Sequence, residues 1–255
     1  MPARRRLFGL PVLLAALLLP LILGAGPAAA IANGVAAQPG QFPFAVRLIM
    51  PSIPSAGGGT YSSACSGALV APSWIITAGH CFHDLNRNRV SGPVPYTTSA
   101  TLNTVNVQQN QGERRSVVWV QQSPSNDIAL GKLDAPVIDV VPLALATTRP
   151  SVGELVDVAG WGATSSVNPA PSPQLYWGVT RIGSVTSTTV LVTGYAPART
   201  TSACLYDSGA PYFTTGSPPL LTSVENTGPD CPHSAWETTA RVDAVASWIR
   251  SVVSS

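Results

Sequence analysis

The sequence predicts an all-β protein, a sandwich or a barrel, that ends in a single helix. Strand-forming segments recur at short intervals, and no long helical pattern separates them. Only 10% of the residues are charged, and the chain contains 22 glycines and 24 prolines, a composition typical of a compact, turn-rich β protein.

Six segments carry the strand signal. Each is a short apolar or alternating run, most are rich in β-branched residues, and Gly, Pro or Ser lies close by. In chain order they are Phe44–Ile49, Ser66–Val70, Ser116–Val120, Leu155–Ala159, Thr188–Val192 and Leu220–Val224. The last element is predicted to be a helix, because apolar residues recur there at spacings of three and four and form a stripe that can pack on the body of the protein. These residues are Val242, Val245, Ala246, Ile249 and Val252.

Residues 1–30 are predicted to be a signal peptide. Met1–Arg6 contains three arginines, Leu7–Gly24 is almost wholly apolar, and Ala28–Ala30 supplies the small residues that signal peptidase accepts. A membrane anchor is the alternative, because the apolar run approaches spanning length, but its two prolines and the A-x-A ending favour cleavage. We therefore expect a soluble, secreted protein, exported by either ordinary secretion or the twin-arginine route.

The charge balance excludes one class of partner. Cleavage after Ala30 would remove three arginines and no acidic residue, so the net charge would fall from +2 to −1. That balance argues against a surface that binds polyanions, and we expect no nucleic-acid partner and, after signal cleavage, no membrane partner. Roughly 225 residues remain, enough for one large all-β domain or two small ones.

The chain has four cysteines, and in an exported protein they are expected to form disulfides. Four cysteines allow three connectivities, and the spacing alone does not choose among them. No pair has the C-x-x-C spacing of a metal site, and His80 and His83 alone are a weak signal. We expect neither a metal nor a cofactor.

Three segments supply the parts that hydrolysis by a serine requires: an alcohol, a base that takes its proton and an acid that orients the base. Ser208 lies in a tight turn of small or polar residues, and His80 follows the apolar run Trp74–Ile76. Asp127 directly precedes apolar residues, where an unpaired carboxylate would be unfavourable and a bond to an imidazole would resolve the problem. Each residue alone has an ordinary structural explanation, but together they indicate a catalytic triad.

In these segments the chain resembles the secreted chymotrypsin-type (trypsin-like) serine proteases. The resemblance covers nearly all of residues 31–255, and its motifs are Ile31-Ala32-Asn33-Gly34, Gln41-Phe42-Pro43-Phe44, Cys65-Ser66-Gly67-Ala68-Leu69, Thr77–Cys81, Asn126–Leu133, Gly160-Trp161-Gly162 and Asp207-Ser208-Gly209. It implies two packed six-stranded antiparallel β-barrels, with a boundary near residues 135–150 and the active site in the cleft between them. It also implies that Ser208 is the nucleophile, His80 the general base and then acid, and Asp127 the orienting carboxylate.

The resemblance assigns further roles. It implies the disulfides Cys65–Cys81 and Cys204–Cys231, which would hold the loops of the catalytic residues. It also implies that a freshly cut α-amino group, here that of Ile31, pairs with Asp207 and orders the active site. Because Ala30–Ile31 is also the best signal-peptidase site, secretion itself is expected to activate the enzyme, with no zymogen stage.

Two of the chain's departures from the family pattern lie in the half that is expected to form the second barrel. Tyr206 and Ser208 would supply the N–H groups of the oxyanion hole, but the family nearly always has Gly where Tyr206 stands. Since Gly tolerates backbone conformations that Tyr resists, the hole is expected to be distorted or to form only with substrate. A further family disulfide is absent, with Val156 and Thr214 at its two positions.

The specificity pocket is assigned by the same resemblance. Ser202, six residues before Ser208, would lie at its base and favours an apolar or aromatic side chain before the cut bond. Ser223-Val224-Glu225 would form a wall, with Glu225 narrowing the entrance. Glu237 would either present a carboxylate to a basic substrate side chain or lie on the surface as a solvated acid.

The expected function is that of an exported serine endopeptidase, a monomer that acts on polypeptides. The alternative is a protease-fold binding or regulatory protein with little or no catalysis, for which Tyr206 is the main argument. An esterase or lipase would require a G-x-S-x-G elbow in an alternating α/β chain, and the sequence has neither.

Overall fold

A computed structural model of the chain describes Met1 and residues 31–254. The predicted signal peptide, with the charged and apolar segments on which that prediction rests, lies outside the described residues. Within the described part, none of the helical segments has the length and hydrophobicity that a bilayer-spanning helix requires.

Residues 31–254 are dominated by short strands. In chain order they are β1 (Val35–Ala36), β2 (Ala45–Pro54), β3 (Thr60–Ala71), β4 (Trp74–Ala78), β5 (Gly92–Pro93), β6 (Ser99–Leu102), β7 (Glu113–Gln122), β8 (Ile128–Leu133), β9 (Ala144–Leu145), β10 (Leu155–Gly160), β11 (Tyr176–Val185), β12 (Thr189–Ala196), β13 (Pro211–Thr214), β14 (Leu220–Thr227) and β15 (Glu237–Arg241). Single 3-10 turns form at Gly79–Cys81, Val107–Gln109 and Asp243–Val245, and the chain continues into helix α1 (Ala246–Val253).

The strands close into two antiparallel barrels of six strands each, which confirms the predicted fold class. The first barrel has the strand order β7-β6-β2-β3-β4-β8 and is closed by pairing of β7 with β8. The second has the order β11-β10-β13-β14-β15-β12 and is closed by pairing of β11 with β12. Closure leaves no free sheet edge in either ring, and β1, β5 and β9 are short additions to the rings.

The predicted segments lie where the strands are. Each of the six falls within an observed strand or extends one residue beyond it, and the predicted apolar stripe lies on the last 3-10 turn and α1. Its residues Val245 and Ile249 are buried. Val156 and Thr214, which replace the family's disulfide, are register partners in β10 and β13.

One hydrophobic cluster spans both barrels and a second lies within the second barrel, so the barrels pack against each other through a shared apolar interface. Phe213 of the second barrel makes edge-to-face contacts with Phe42 and Phe44, which lie at the start of the first barrel, at ring-centroid distances of 5.2 and 5.3 Å. Polar bonds cross the same interface: the Asn126 side-chain amide donates to the Arg241 carbonyl at 2.8 Å. This interface fixes the two halves of the candidate site relative to each other.

Candidate active site

Strand pairing brings His80 and Asp127 together although 47 residues separate them. In the antiparallel pair β4–β8, Ala78 lies opposite Ile128, so the residues that follow β4 lie beside the residue that precedes β8. His80 is in the 3-10 turn just after β4, and its backbone N–H donates to Asp127 Oδ1 at 2.9 Å. The pairing of β4 with β8 therefore places the imidazole against the carboxylate.

The second barrel brings Ser208 to the other side of the imidazole. His80 Nδ1 lies 2.7 Å from Asp127 Oδ2, and His80 Nε2 lies 2.9 Å from Ser208 Oγ. The carboxylate can only accept, so Nδ1 carries the proton and Nε2 can accept the proton of the Ser208 hydroxyl. The three side chains thus form one continuous hydrogen-bonded chain across the cleft.

Two residues that the sequence reading did not single out also hold Asp127. The Asn226 side-chain amide donates to Asp127 Oδ2 at 2.9 Å and to the Asp127 carbonyl at 2.8 Å. The Arg89 guanidinium lies 3.5 Å from Oδ1. Burial alone would raise the pKa of Asp127, but hydrogen bonds from His80 and the charges of His80 and Arg89 outweigh it and lower that pKa. Asp127 is therefore an anion at neutral pH.

The turn that carries Ser208 fits closely against the first barrel. Gly209 has a φ of 84°, and a Cβ atom there would lie 2.1 Å from Thr77 Oγ1 and 2.4 Å from the Ser66 carbonyl oxygen. The Ser66 N–H donates to the Ser208 carbonyl at 2.9 Å. Only glycine after the nucleophile allows this approach, which explains the Ser-Gly pair in the sequence.

The predicted oxyanion-hole donors are the backbone N–H groups of Tyr206 and Ser208. Neither donates to another group within residues 31–254. Tyr206 has a φ of 75°, a left-handed conformation that glycine adopts readily and a tyrosine adopts only against strain. The turn therefore has a glycine-like backbone despite the tyrosine side chain.

Asp207 is buried under this turn next to Ile31. Its carboxylate accepts from the N–H groups of Gly162 at 2.7 Å and Cys204 at 3.0 Å. Ile31 is also fully buried, and one Cβ atom added to Gly160 would contact both Asp207 Oδ1 and Ile31 Cδ1. Burial raises the pKa of Asp207 well above its usual range, although the two N–H donors oppose the shift.

A cavity of about 270 Å³ opens beside Ser208 in the second barrel. Three acidic residues border it: Glu225 and Glu237, both buried, and the exposed Asp230. Asn226 and Gly228 complete the wall next to Glu225. The cavity has no lysine or arginine among its lining residues, so its wall is acidic.

A single tyrosine proton joins the two buried glutamates. Tyr212 Oη lies 2.8 Å from Glu225 Oε2 and 2.7 Å from Glu237 Oε2, but a phenol can donate to only one of them. Burial, with the neighbouring Glu237 carboxyl as the second cause, raises the pKa of Glu225 well above its usual range. Glu237 accepts from the Ala203 N–H at 2.6 Å and lies 3.4 Å from His233 Nε2.

Two residues predicted for the pocket lie elsewhere. Ser202 is buried in a bridge with Ala32 and does not border the cavity. Ser223 is also buried outside it, where its hydroxyl accepts from Thr239 Oγ1 at 2.8 Å. The cavity wall is formed by Glu225 and by Asn226–Gly228, the segment that lies three residues after the predicted wall segment.

Both disulfides lie close to the candidate catalytic residues. Cys65 is bonded to Cys81, next to His80, and Cys204 is bonded to Cys231, near the cavity wall. Within residues 31–254, no three side chains of His, Cys, Asp or Glu are grouped closely enough to hold a metal ion.

Comparisons with known proteins agree with this geometry. A protein-family model described as Trypsin matches residues 31–249. Trypsin, alkaline B, of Manduca sexta is 28% identical over 236 residues, which cover 83% of this chain and 86% of that protein. Serine protease 56 of Homo sapiens is 31% identical over 206 residues, 71% of this chain and 31% of the human protein.

The fold matches solved structures as well. Neuropsin, a serine protease of mouse brain, superposes with a TM-score of 0.70 at 21% identity over 87% of this chain and 99% of its own. The match of the family model to most of the chain confirms the resemblance seen in the sequence. The chain belongs to the trypsin family of serine proteases.

Proposed function

We propose that the protein is a serine endopeptidase that cuts peptide bonds through an acyl-enzyme, with His80, Asp127 and Ser208 as its catalytic triad. The observation that carries this proposal is the His80 ring, which lies within hydrogen-bond distance of both Asp127 and Ser208. Nε2 takes the Ser208 proton as Oγ attacks the substrate carbonyl, and the same nitrogen then gives that proton to the leaving amine. Water, deprotonated by Nε2, hydrolyses the ester and restores Ser208.

The direct test is labelling with a fluorophosphonate, which reacts only with an activated serine. We expect stoichiometric modification of Ser208 in the wild-type protein and none in Ser208→Ala. Ser166→Ala is the matched control, because Ser166 lies outside the triad and its loss should leave labelling unchanged. Complete failure of the folded wild-type protein to react would contradict the proposal.

The conformation of Tyr206 favours one other candidate, a protease-fold binding protein with little catalysis. A strained residue at the oxyanion hole could leave the serine reactive but the acyl transfer slow, and loss of one such donor slows proteases by about 10²–10³-fold. A protein that labels at Ser208 but shows no multiple turnover on any peptide would support this second candidate.

For the residue before the cut bond, we propose a basic side chain. The wall beside Ser208 contains the carboxyl groups of Glu225, Asp230 and Glu237, and this favours lysine or arginine over the apolar or aromatic side chain that Ser202 predicted. Ser202 has little influence in this proposal because it does not border the cavity.

A peptide-library digest tests this preference. Wild-type protein is expected to cut mainly after Lys or Arg, and Glu237→Gln should lower kcat/KM on those peptides by about tenfold, the effect of one unscreened charge pair. Glu154→Gln is the matched control, because Glu154 is a half-buried carboxylate that does not border the cavity, and it should leave the preference unchanged. Cleavage mainly after Phe, Tyr or Leu, unaffected by Glu237→Gln, would return the assignment to the apolar prediction.

We also propose that export and activation are one event. Secretion with cleavage before Ile31 would create an α-amino group at a residue that is already buried beside Asp207. A cation there would stabilise the Asp207 carboxylate, whose burial otherwise favours the neutral form.

The length of the N-terminus tests this step. Protein that begins at Ile31 should have a kcat/KM about 10²–10³-fold higher than protein that begins at Ala30, because the extra residue displaces the charge that orders the oxyanion hole. Equal activity of the two forms, or a secreted protein that starts well away from Ile31, would contradict the proposal.

A further inference from the structure

A second cavity, of about 230 Å³, opens on the other side of Ser208. His80 and the Cys65–Cys81 disulfide border it, whereas the acidic cavity does not touch His80. The leaving amine must receive its proton from His80 Nε2, so the part of a substrate that follows the cut bond lies toward this second cavity. Any charged group on its wall acts on that part of the substrate.

The charged group on this wall, apart from the histidines, is the guanidinium of Arg87. Its carbon CZ lies 5.2 Å from the centroid of the Tyr61 ring, and its Nη1 lies 3.1 Å from His83 Nε2. Stacking on an aromatic ring and a hydrogen bond at one nitrogen fix the direction of an otherwise flexible side chain.

The tautomer of His83 makes that bond possible. Nδ1 lies 2.7 Å from the Asp84 carbonyl, which can only accept, so Nδ1 carries the proton. Nε2 is then free to accept from Arg87, and the Tyr61 hydroxyl lies 3.3 Å from the same nitrogen. The imidazole is buried, and the guanidinium of Arg87 is the group that brings a fixed positive charge to the cavity.

The loop that carries Arg87 is built to hold one conformation. Asp84 Oδ1 accepts from the N–H groups of Asn86 and Asn88 at 2.8 and 2.9 Å, and Oδ2 accepts from the Asn88 side chain at 3.1 Å. Arg87 itself has a φ of 65°, which is uncommon for a residue other than glycine or asparagine. Such strain is concentrated at functional sites, where surrounding bonds maintain it.

Arg87 nevertheless has no acidic partner. None of the ion pairs among residues 31–254 includes it, and no Asp or Glu borders the second cavity. Asp84, the nearest acid in sequence, is already engaged by its own loop. A cation that is oriented, partly stacked and unpaired beside the leaving-group cavity is suited to bind a carboxylate.

We propose that Arg87 is a specificity-determining residue for the leaving-group side, and that it selects substrates with an acidic side chain at the first or second residue after the cut bond. This inference rests on the proposed peptidase function. Together with the acidic cavity on the other side of Ser208, it gives the cleft opposite charges on its two sides. The substrate class is then a polypeptide that is cut after a basic residue and has an acidic residue one or two positions beyond the cut.

The test compares quenched fluorescent peptides that are identical except for Glu or Gln after the cut bond. One pair varies the first residue and a second pair varies the second, and all peptides have amidated C-termini so that no terminal carboxylate can bind Arg87. We expect the Glu peptide of at least one pair to have a kcat/KM about three- to tenfold higher than its Gln partner. The ratio of the two values does not depend on the fraction of active enzyme.

Variants assign the effect to Arg87. Arg87→Gln should bring the Glu-to-Gln ratio to about one, and Arg87→Glu should invert it, while Arg114→Gln should keep the wild-type ratio because Arg114 lies on the outer face of the first barrel. Higher salt should reduce the wild-type ratio. Efficient cleavage with a ratio of one in both pairs, or a ratio unchanged in Arg87→Gln, would overturn the inference alone, whereas cleavage of no peptide would overturn the peptidase function with it.

Discussion

Replacement of His80 with alanine is expected to lower kcat for peptide hydrolysis by about 10⁶-fold, since loss of a triad histidine removes both the base and the acid of the reaction. The physical reason lies in the 2.9 Å contact between His80 Nε2 and Ser208 Oγ, for which no other described side chain can substitute. Initial-rate kinetics on one peptide, with concentration set by absorbance, measure the effect.

The double variant separates this chemistry from general damage. Because His80 and Ser208 act as a unit, His80→Ala/Ser208→Ala should be no slower than either single variant. Lys132→Ala serves as the matched control, because Lys132 is an exposed side chain of the same barrel that lies over the Trp74 ring and contacts neither Asp127 nor Ser208. A loss of less than 10²-fold in His80→Ala would contradict the assigned base.

Asp127→Asn is expected to lower kcat by about 10⁴-fold with little change in fold. Three hydrogen bonds reach the carboxylate oxygens, and the carboxylate accepts all of them: the His80 N–H donates to Oδ1, and His80 Nδ1–H and the Asn226 amide donate to Oδ2. An amide offers only one accepting oxygen. If that oxygen takes the Oδ1 position, the NH₂ group faces His80 Nδ1, which must then accept. The imidazole proton lies on Nε2 as a result, and Nε2 cannot accept the proton of Ser208.

Kinetics and stability together test this expectation. Asp134→Asn is the matched control, because Asp134 is an exposed carboxylate of the same barrel. It should keep wild-type activity, and both variants should show similar melting curves by circular dichroism. Wild-type activity in Asp127→Asn would show that Asp127 does not orient the base.

The strands that sequence reading finds are the ones with concentrated apolar signal. β2, β3 and β10 carry short β-branched or apolar runs, and most residues of those runs are buried. β11 contains two glycines and an arginine, and β15 contains Glu237 and Arg241 at its ends, so neither shows that pattern. Their places are determined by ring closure, a tertiary constraint that no local window contains.

The triad is predictable because each member lies in a local motif, whereas the pocket depends on register. Asn226 lies three positions after Ser223 in β14. Only the placement of β14 against the first barrel shows that Asn226 binds Asp127, whereas Ser223 binds Thr239. In the sequence, the short polar segment that precedes Gly228 is the feature that indicates this part of the cavity wall. Arg87 gives no signal in the sequence, because its significance comes from the neighbouring ring and imidazole.

Two hydrogen bonds cross the interface between the barrels, from Asn226 to Asp127 and from Asn126 to the Arg241 carbonyl. The orientation of the His80 imidazole therefore depends on the alignment of the two barrels. A displacement of one barrel by about 1 Å along that interface would misalign the reacting atoms and reduce turnover about 10²-fold, while the strand pairing within each barrel stayed intact. Mild heating is therefore expected to abolish activity at a temperature below the unfolding transition. Turnover would then report a change in the alignment of the two barrels before an optical signal of folding does.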